Sequence, residues 1–223
     1  MVDIDADFKI ELDGLDYEIQ VAKRNLPDYS SRHFNTEREK ALIFSLKRSV
    51  ELSDGCLLCA KQNLLAPIYV MTRGLLESLI WVCWITKSSE NAQQYIDATK
   101  NELKRIARKN FETGHGRVVD RETEEDKTQE LLKSDWVKDI KPRLRIEGAA
   151  KDVGLDKLYT QMYGFLSIFA HGIMFETNTS IKEDMSNTLA IANVLMECIN
   201  IVVNNWIVSR KQTPIEEIYA ILQ

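Results

Sequence analysis

The chain is poor in the two residues that most often interrupt secondary structure. Its 223 residues include only 9 glycines and 4 prolines. This scarcity disfavours a fold built from short strands and tight turns, and it favours long helices. Hydrophobic residues make up 44% of the chain and charged residues 28%, which is the composition of an ordinary soluble globular protein. The length is sufficient for one hydrophobic core.

The chain also lacks an excess of positive charge. Its net charge is −5 and its pI is near 5.4. Non-specific coating of nucleic acid depends on cations that neutralise phosphates, so this class of protein is disfavoured. The first residues are acidic and contain no apolar signal segment, and we therefore predict a cytoplasmic location.

The cysteine pattern predicts no metal site. All four cysteines fall in apolar helical patterns, which is typical of reduced, buried thiols in cytosolic proteins. Cys56 and Cys59 have the spacing of half a zinc site, but no second pair of cysteines or histidines accompanies them. We therefore predict that they pack in the core, and we expect neither a metal nor a cofactor.

Hydrophobic periodicity divides the chain into helices and shows no strand-like alternation. The first helix is predicted over 4–24, ending before Pro27, and the second over 37–61, starting at a capping box of Thr36 and Glu39. Later helices are predicted over 64–85, 89–114, 155–170 and 184–209, with a short one from Thr213. The predicted fold class is all-α, an up-and-down helical bundle.

Two segments are predicted to lie outside the core of this bundle. Residues 1–35 are interpreted as an N-terminal helical arm with a linker, and 36–223 as a single bundle domain. Segment 116–154 is the most polar part of the chain and is predicted to be an exposed insertion.

Helix 64–85 is apolar on every side, yet its middle contains Arg73 and Glu77. Such a helix belongs in a protein core or in a bilayer, and two charges near a bilayer centre would cost about 2.5–3.5 kcal/mol each. We therefore expect a core helix and no membrane. At a spacing of four residues the two side chains can pair. They form either a structural ion pair or a polar pocket in which Arg73 faces an anion.

A second polar pattern runs along the helix predicted over 155–170. Tyr163, Ser167 and His171 recur at intervals of four and line one border of its apolar face. A phenol, a hydroxyl and an imidazole in line can bind a phosphate or carry a proton relay. Alternatively, Tyr163 reaches solvent, Ser167 bonds back to its own helix and His171 caps the helix end.

The two patterns together resemble a bacterial helical family of unknown function related to the HEPN superfamily. The resemblance covers roughly 40–175 and rests on the RGLLE stretch that begins at Arg73 and on Tyr163, Ser167 and His171. It implies a four-helix up-and-down bundle that often dimerises. Many HEPN proteins are metal-independent endoribonucleases of toxin–antitoxin, abortive-infection and CRISPR-linked defence systems. Others serve as non-catalytic binding modules.

The chain departs from the nuclease motif of that superfamily, an arginine followed by a histidine after four to six residues. Arg108 and His115 have this gap, but they run from a helix end into a glycine-flanked loop, so they form only a weak alternative pair. A ribonuclease here would instead bring Arg73 and His171 together in space.

In that arrangement each side chain has a role in metal-free RNA cleavage, which needs a base, a cation and an acid. Arg73 would bind the phosphate, and His171 would act as base or acid. Tyr163 or Ser167 would position the phosphate, and Glu77 would orient Arg73.

The helix predicted over 89–114 has the chain's strongest basic face. Lys100, Lys104 and Arg105 lie on one half of it, and apolar residues such as Leu103 and Ile106 lie on the other. This face could receive RNA or an acidic partner, or it could simply be solvated. No aromatic residue interleaves with the charges, so no stacking platform for single strands is predicted.

The helix predicted over 184–209 is mostly apolar with one thin polar seam. The lone acidic residue of this seam could face solvent, or it could face Arg73 and His171. A wide apolar surface with a thin polar seam also suits a homodimer interface. Its members lie within a narrow arc: Asn193, Glu197, Asn200 and Asn204. We predict a homo-oligomer, with a dimer as the simplest form, and RNA or a cognate protein as partner.

Two main hypotheses follow. The first is a HEPN-like metal-independent endoribonuclease or toxin component of bacterial defence. The second is a non-catalytic helical interaction or dimerisation module in which Arg73 and Glu77 form a buried structural ion pair. A third hypothesis is a membrane-associated protein that uses helix 64–85.

Overall fold

A computed structural model describes residues 4–31, 36–138, 140–170 and 180–222. These residues contain no β-strand, and Val119 and Asp126 form only an isolated bridge. The predicted all-α fold is therefore confirmed. The elements are α1 (Ile4–Ser31), α2 (Glu37–Lys61), α3 (Leu65–Lys87), α4 (Ser89–Glu112), α5 (Thr128–Lys133), α6 (Asp135–Lys138), α7 (Ile146–Asp152), α8 (Asp156–Leu158), a π-helical turn (Tyr159–Tyr163), α9 (Gly164–Ala170), α10 (Ile181–Ser209) and α11 (Ile215–Ile221).

The chain forms two compact units. One comprises Met1–Ala92 and Ile146–Gln223, and the other comprises Gln93–Arg145. Segment 116–154, predicted as one insertion, is thus divided between the units. Its last part belongs to the first unit because α7 packs on α3, with Ala149 and Ala150 buried.

Four long helices, α1, α2, α3 and α10, pack against one another in the first unit. Helices α2 and α3 are joined by a three-residue turn, which makes them antiparallel neighbours. The capping box predicted at the start of α2 is confirmed. The amide of Glu39 donates to Thr36 Oγ1 (3.3 Å), and the amide of Thr36 donates to Glu39 Oε2 (3.2 Å).

Helix α1, predicted as an arm, forms part of this bundle. Leu15 and Ile19, four residues apart, are fully buried. Gly14 permits close approach to α10, because a Cβ atom at this position would lie 2.6 Å from Nδ2 of Asn193. The helix therefore contributes to the core.

The predicted end of α1 before Pro27 is wrong, because the helix continues to Ser31 with Pro27 inside it. Tertiary packing accounts for the extension. Tyr29 is buried, and its hydroxyl donates to Oδ1 of Asn204 on α10 (2.8 Å). This contact fixes the last turn against the bundle despite the missing N–H of proline.

The polar seam of α10 faces α1 at two of its members. Nδ2 of Asn200 donates to the carbonyl oxygen of Glu18 (3.0 Å) and to its Oε2 (2.8 Å), while Asn204 accepts the bond from Tyr29. These two amides of the seam therefore bond to α1.

Two helices, Leu65–Lys87 and Ile181–Ser209, are long and apolar enough to cross a membrane. This is weak evidence for a span, since core helices of soluble proteins share the property. Both helices pack within the bundle, and α3 is buried along most of its length.

Candidate functional site

The middle of α3 carries the Arg73–Glu77 pair predicted from the sequence. Nε of Arg73 donates to Oε1 of Glu77 over 3.3 Å. The expected burial of this pair is wrong, because the two side chains remain 23% and 27% exposed. The face of α3 that holds them borders the π-helical turn and α9, which do not cover it completely. The pair is therefore accessible from solvent.

Arg73 also contacts Tyr163, which joins the two polar patterns of the sequence. Nη2 of Arg73 donates to the phenol oxygen of Tyr163, and its guanidinium carbon lies 4.3 Å from the centroid of that ring. A guanidinium over an aromatic face is attracted by the ring quadrupole. Arg73 is thus oriented by two side chains, Glu77 on its own helix and Tyr163 on the π-helical turn.

The segment that carries Tyr163 is the π-helical turn Tyr159–Tyr163. Such turns are rare and frequently occur at functional sites. Here the turn brings the rings of Tyr159 and Tyr163 together, with their centroids 4.6 Å apart and their planes tilted by 30°. Both residues are partly buried, so they form an aromatic wall beside Arg73.

Sequence reasoning missed two residues of this site, Tyr159 and Glu147. The causes that shift the pKa of Tyr159 identify them. Burial and the nearby Tyr163, Glu147 and Glu77 raise the pKa of Tyr159, while Arg73 lowers it by a smaller amount. Tyr159 is therefore a neutral hydrogen-bond donor at neutral pH. It continues the four-residue spacing of Tyr163 one turn earlier, which was an available signal. Glu147, on α7, lay in the segment interpreted as an exposed insertion.

Ser167 lies one turn beyond Tyr163, on α9. Its hydroxyl oxygen is shielded from solvent and has no hydrogen-bond partner in the described part of the chain. The alternative in which Ser167 bonds back to its helix is not observed. A shielded hydroxyl without a partner costs free energy, so its retention calls for an explanation.

His171 lies outside the described residues, directly after the last residue of α9, Ala170. The structure therefore brings together Arg73, Glu77 and Tyr163, and it shields Ser167 one turn further along. The role assigned to His171 stays a prediction.

The weak alternative pair lies in the second unit, where each member is exposed and engages a close neighbour. Nε of Arg108 donates to Oε1 of Glu112 (2.7 Å), and Nδ1 of His115 lies 2.8 Å from Oγ1 of Thr113. Within the residues described, no hydrogen bond or ion pair joins Arg108 to His115. The described residues therefore do not bring Arg108 and His115 together in a site.

An aromatic residue that sequence reasoning missed lies beside the basic face of α4. The ammonium of Lys104 lies 5.7 Å from the ring centroid of Trp136, which is 44% exposed. Trp136 belongs to α6, so its position beside Lys104 depends on tertiary packing. Arg105 is held by Glu102 and by the carbonyl of Lys141, and Lys100 is exposed.

Leu103 and Ile106, expected on the apolar half of α4, are 63% and 53% exposed. Within the described segments, no group of three or more metal-ligating side chains occurs. Burial raises the pKa of the Cys56 thiol to about 12, so this cysteine is a protonated core residue at neutral pH.

Comparison with known proteins gives one result. Residues 39–188 match a family of unknown function, DUF5677. The match extends from the start of α2 into α10 and includes the residues of the candidate site: Arg73, Glu77, Glu147, Tyr159, Tyr163, Ser167 and His171. No curated protein and no solved structure matches the chain. Nothing in the match links the family to the HEPN superfamily, so that relationship stays a prediction.

Proposed function

This chain belongs to the DUF5677 family, and we propose that it is a HEPN-like, metal-independent endoribonuclease or toxin component of a bacterial defence system. The observation that supports this proposal is the orientation of Arg73. Its Nε and Nη2 groups are engaged by Glu77 and Tyr163, and no described residue accepts a hydrogen bond from Nη1. A partly exposed guanidinium with a spare N–H pair is suited to a phosphate oxygen.

The proposed reaction is transesterification within RNA. The 2′-oxygen attacks the adjacent phosphorus, a base takes the 2′-hydroxyl proton, and the 5′-oxygen leaves with a proton from an acid. The products are a 2′,3′-cyclic phosphate and a 5′-hydroxyl. Arg73 stabilises the charge that develops on the phosphate. Neutral Tyr159 can donate a hydrogen bond to the same group, and His171 is assigned as base or acid.

A second candidate function is a non-catalytic interaction module, and a specific observation favours it. Glu77 is paired with Arg73, and Glu77 and Glu147 both raise the pKa of the neighbouring Tyr159, so this face of the protein carries negative charge. This charge balance disfavours an anionic ligand. In that case Arg73 serves only to hold the π-helical turn against α3.

Cleavage of a labelled RNA in EDTA distinguishes the two candidates. The endoribonuclease proposal expects wild-type cleavage and a loss of about 100-fold or more in Arg73→Lys and His171→Ala, each measured at a temperature where the variant is fully folded. Arg73→Lys keeps the charge but loses the forked hydrogen bonding. Arg48→Lys, at an exposed arginine of α2, is the matched control and keeps full activity. A folded wild type that cleaves nothing, with Arg73→Lys only less stable, would support the interaction module.

We also propose that the protein is a homodimer and that it is located in the cytoplasm. HEPN active sites are usually assembled across a dimer, so a monomeric protein would need its site within one chain. Sedimentation equilibrium is expected to give twice the 25.7 kDa chain mass. A mass of one chain at concentrations where the protein cleaves RNA would refute the dimer.

A further inference from the structure

A pocket of about 320 Å³ lies within the Gln93–Arg145 unit. It is formed by one face of α4, which contributes Gln94, Asp97, Ala98 and Asn101, and by residues 141–144, which precede α7. The volume is at the lower end of the range for small-molecule sites in proteins. The pocket is therefore large enough for a ligand rather than for water alone.

Ion pairs hold segment 141–144 on α4. Glu102 accepts hydrogen bonds from Nη1 of Arg105 (2.6 Å) and from Nη2 of Arg143 (2.9 Å), and Arg105 also donates to the carbonyl of Lys141. Hydrogen bonds from Arg105 and Arg143 hold the pKa of Glu102 below its ordinary value. These contacts fix both walls, so the pocket is preformed.

Asn101 supplies the second, independent indication of a ligand. The residue is only 6% exposed and lines the pocket, yet its side-chain amide has no hydrogen-bond partner among the residues described. The nitrogen and oxygen of this amide are not among the atoms that are fully shielded without a partner, so they remain open to the interior of the pocket. A ligand that donates to and accepts from this amide would supply the hydrogen-bond partners that the described residues do not.

The other lining groups narrow the chemistry of the ligand. Asp97, one turn before Asn101, presents a carboxylate that accepts from Nε2 of Gln93 (2.9 Å) and lies 3.8 Å from Nζ of Lys141. Ala98, Pro142 and Leu144 contribute apolar surface. Lys141 and Arg143 are 63% and 70% exposed and carry positive charge at the mouth. A flat, polar-edged group attached to an anion fits these features.

We infer that this pocket binds a guanine nucleotide, either free or as part of single-stranded RNA. The Watson–Crick edge of guanine has two donors beside one acceptor, which match the Asp97 carboxylate and the Asn101 amide. Adenine presents a bare ring nitrogen that would face the carboxylate. The phosphate is placed toward Lys141 and Arg143. The inference does not depend on the proposed cleavage chemistry.

Calorimetric titration of the full chain with 5′-GMP and 5′-AMP tests this inference. GMP is expected to bind at least about tenfold more tightly than AMP, because AMP leaves polar groups of the pocket unpaired. Asn101→Leu and Asp97→Asn are each expected to weaken GMP binding about tenfold or more. Asn110→Leu, at an exposed asparagine of the same helix, is the matched control and leaves binding unchanged. Melting curves verify that each variant is folded. If Asn101→Leu does not fold, the GMP affinity of Asp97→Asn decides the test.

Parallel titrations with short single-stranded RNAs distinguish the two sources of the base. The pocket is assigned to RNA if the protein binds a guanine-containing strand but not GMP, and if this binding requires Asn101. Binding of GMP assigns it to the free nucleotide. Equal affinity for GMP and AMP, or no binding of either GMP or the strand, overturns the inference. A protein that binds guanine but cleaves no RNA refutes the proposed function alone.

Discussion

The guanidinium carbon of Arg73 lies 4.3 Å from the ring centroid of Tyr163, a residue 90 positions later in the chain. This contact joins the middle of α3 to the π-helical turn that precedes α9. The same guanidinium bonds to Glu77, so its direction is fixed from two sides. Because the group stays partly exposed, its orientation can serve a ligand as well as the fold.

Replacing Tyr163 by phenylalanine is expected to lower the free energy of unfolding by about 1 kcal/mol, because Arg73 loses one hydrogen-bond acceptor. Replacing it by leucine is expected to cost about 0.5–1 kcal/mol more, since the cation–π contact is also lost. Urea unfolding measures both changes. Tyr17→Phe, at a residue that is 62% exposed, is the control. Equal stabilities of Tyr163→Phe and Tyr17→Phe would show that the Arg73 contact contributes nothing.

Removing the hydroxyl of Ser167 is expected to leave stability unchanged or to raise it by up to about 1 kcal/mol, because a shielded hydroxyl without a described partner is lost. Ser49→Ala is the matched control. The Ser49 hydroxyl is buried and donates to the carbonyl of Ser45 (2.8 Å), so its loss is expected to cost about 1 kcal/mol. If Ser167 positions a substrate, Ser167→Ala lowers RNA cleavage without lowering the melting temperature. A destabilisation as large as that of Ser49→Ala would contradict this account.

Acid is expected to weaken the junction between α2 and the end of α10. Burial raises the pKa of Glu39, but hydrogen bonds from Thr36 and Arg210 outweigh it and hold the pKa below its ordinary value. The resulting stabilisation is complete above the unfolded-state pKa, about 4.3, and is lost as pH falls through the folded-state value. Urea unfolding at pH 7 and pH 4 is therefore expected to show a smaller acid-induced loss in Glu39→Gln than in wild type. Glu51→Gln, at an exposed glutamate of α2, is expected to follow wild type, and identical losses in all three proteins would refute the prediction.

Trp136 is expected to contribute to RNA binding by stacking on a base beside Lys104. Trp136→Ala should weaken binding of a labelled single-stranded RNA about tenfold, since base stacking is worth about 1–3 kcal/mol. Fluorescence anisotropy measures the affinity. Trp136→Phe keeps an aromatic face and is expected to retain most of the binding. Equal affinities of wild type and Trp136→Ala would remove this residue from the RNA surface.

The helical elements were predictable from the sequence because periodicity and capping are local. Thr36 and Glu39 lie three residues apart, and their reciprocal bonds need only the first turn of α2. Pro27 shows where local reasoning fails. Its effect on α1 is overridden by Tyr29 and Asn204, which lie 175 residues apart in the chain.

The candidate site was predictable only in part. The spacing of Arg73, Glu77 and Tyr163 indicated which faces they occupy, but the accessibility of Arg73 depends on how far α9 and the π-helical turn cover α3. Glu147 and Trp136 were missed for the same reason. Glu147 lies on α7 and Trp136 on α6, and each reaches its position through the packing of its short helix. So short a helix leaves almost no periodic signal in the sequence.

The proposed role of Arg73 is tested most directly by single-turnover cleavage of an RNA strand and its fully 2′-O-methylated counterpart, both in EDTA. Wild type is expected to cleave only the unmodified strand and to leave a 2′,3′-cyclic phosphate. Arg73→Lys is expected to cleave it about 100-fold or more slowly, with a similar affinity for the methylated strand. Cleavage of the methylated strand, or wild-type rates in Arg73→Lys, would contradict the account.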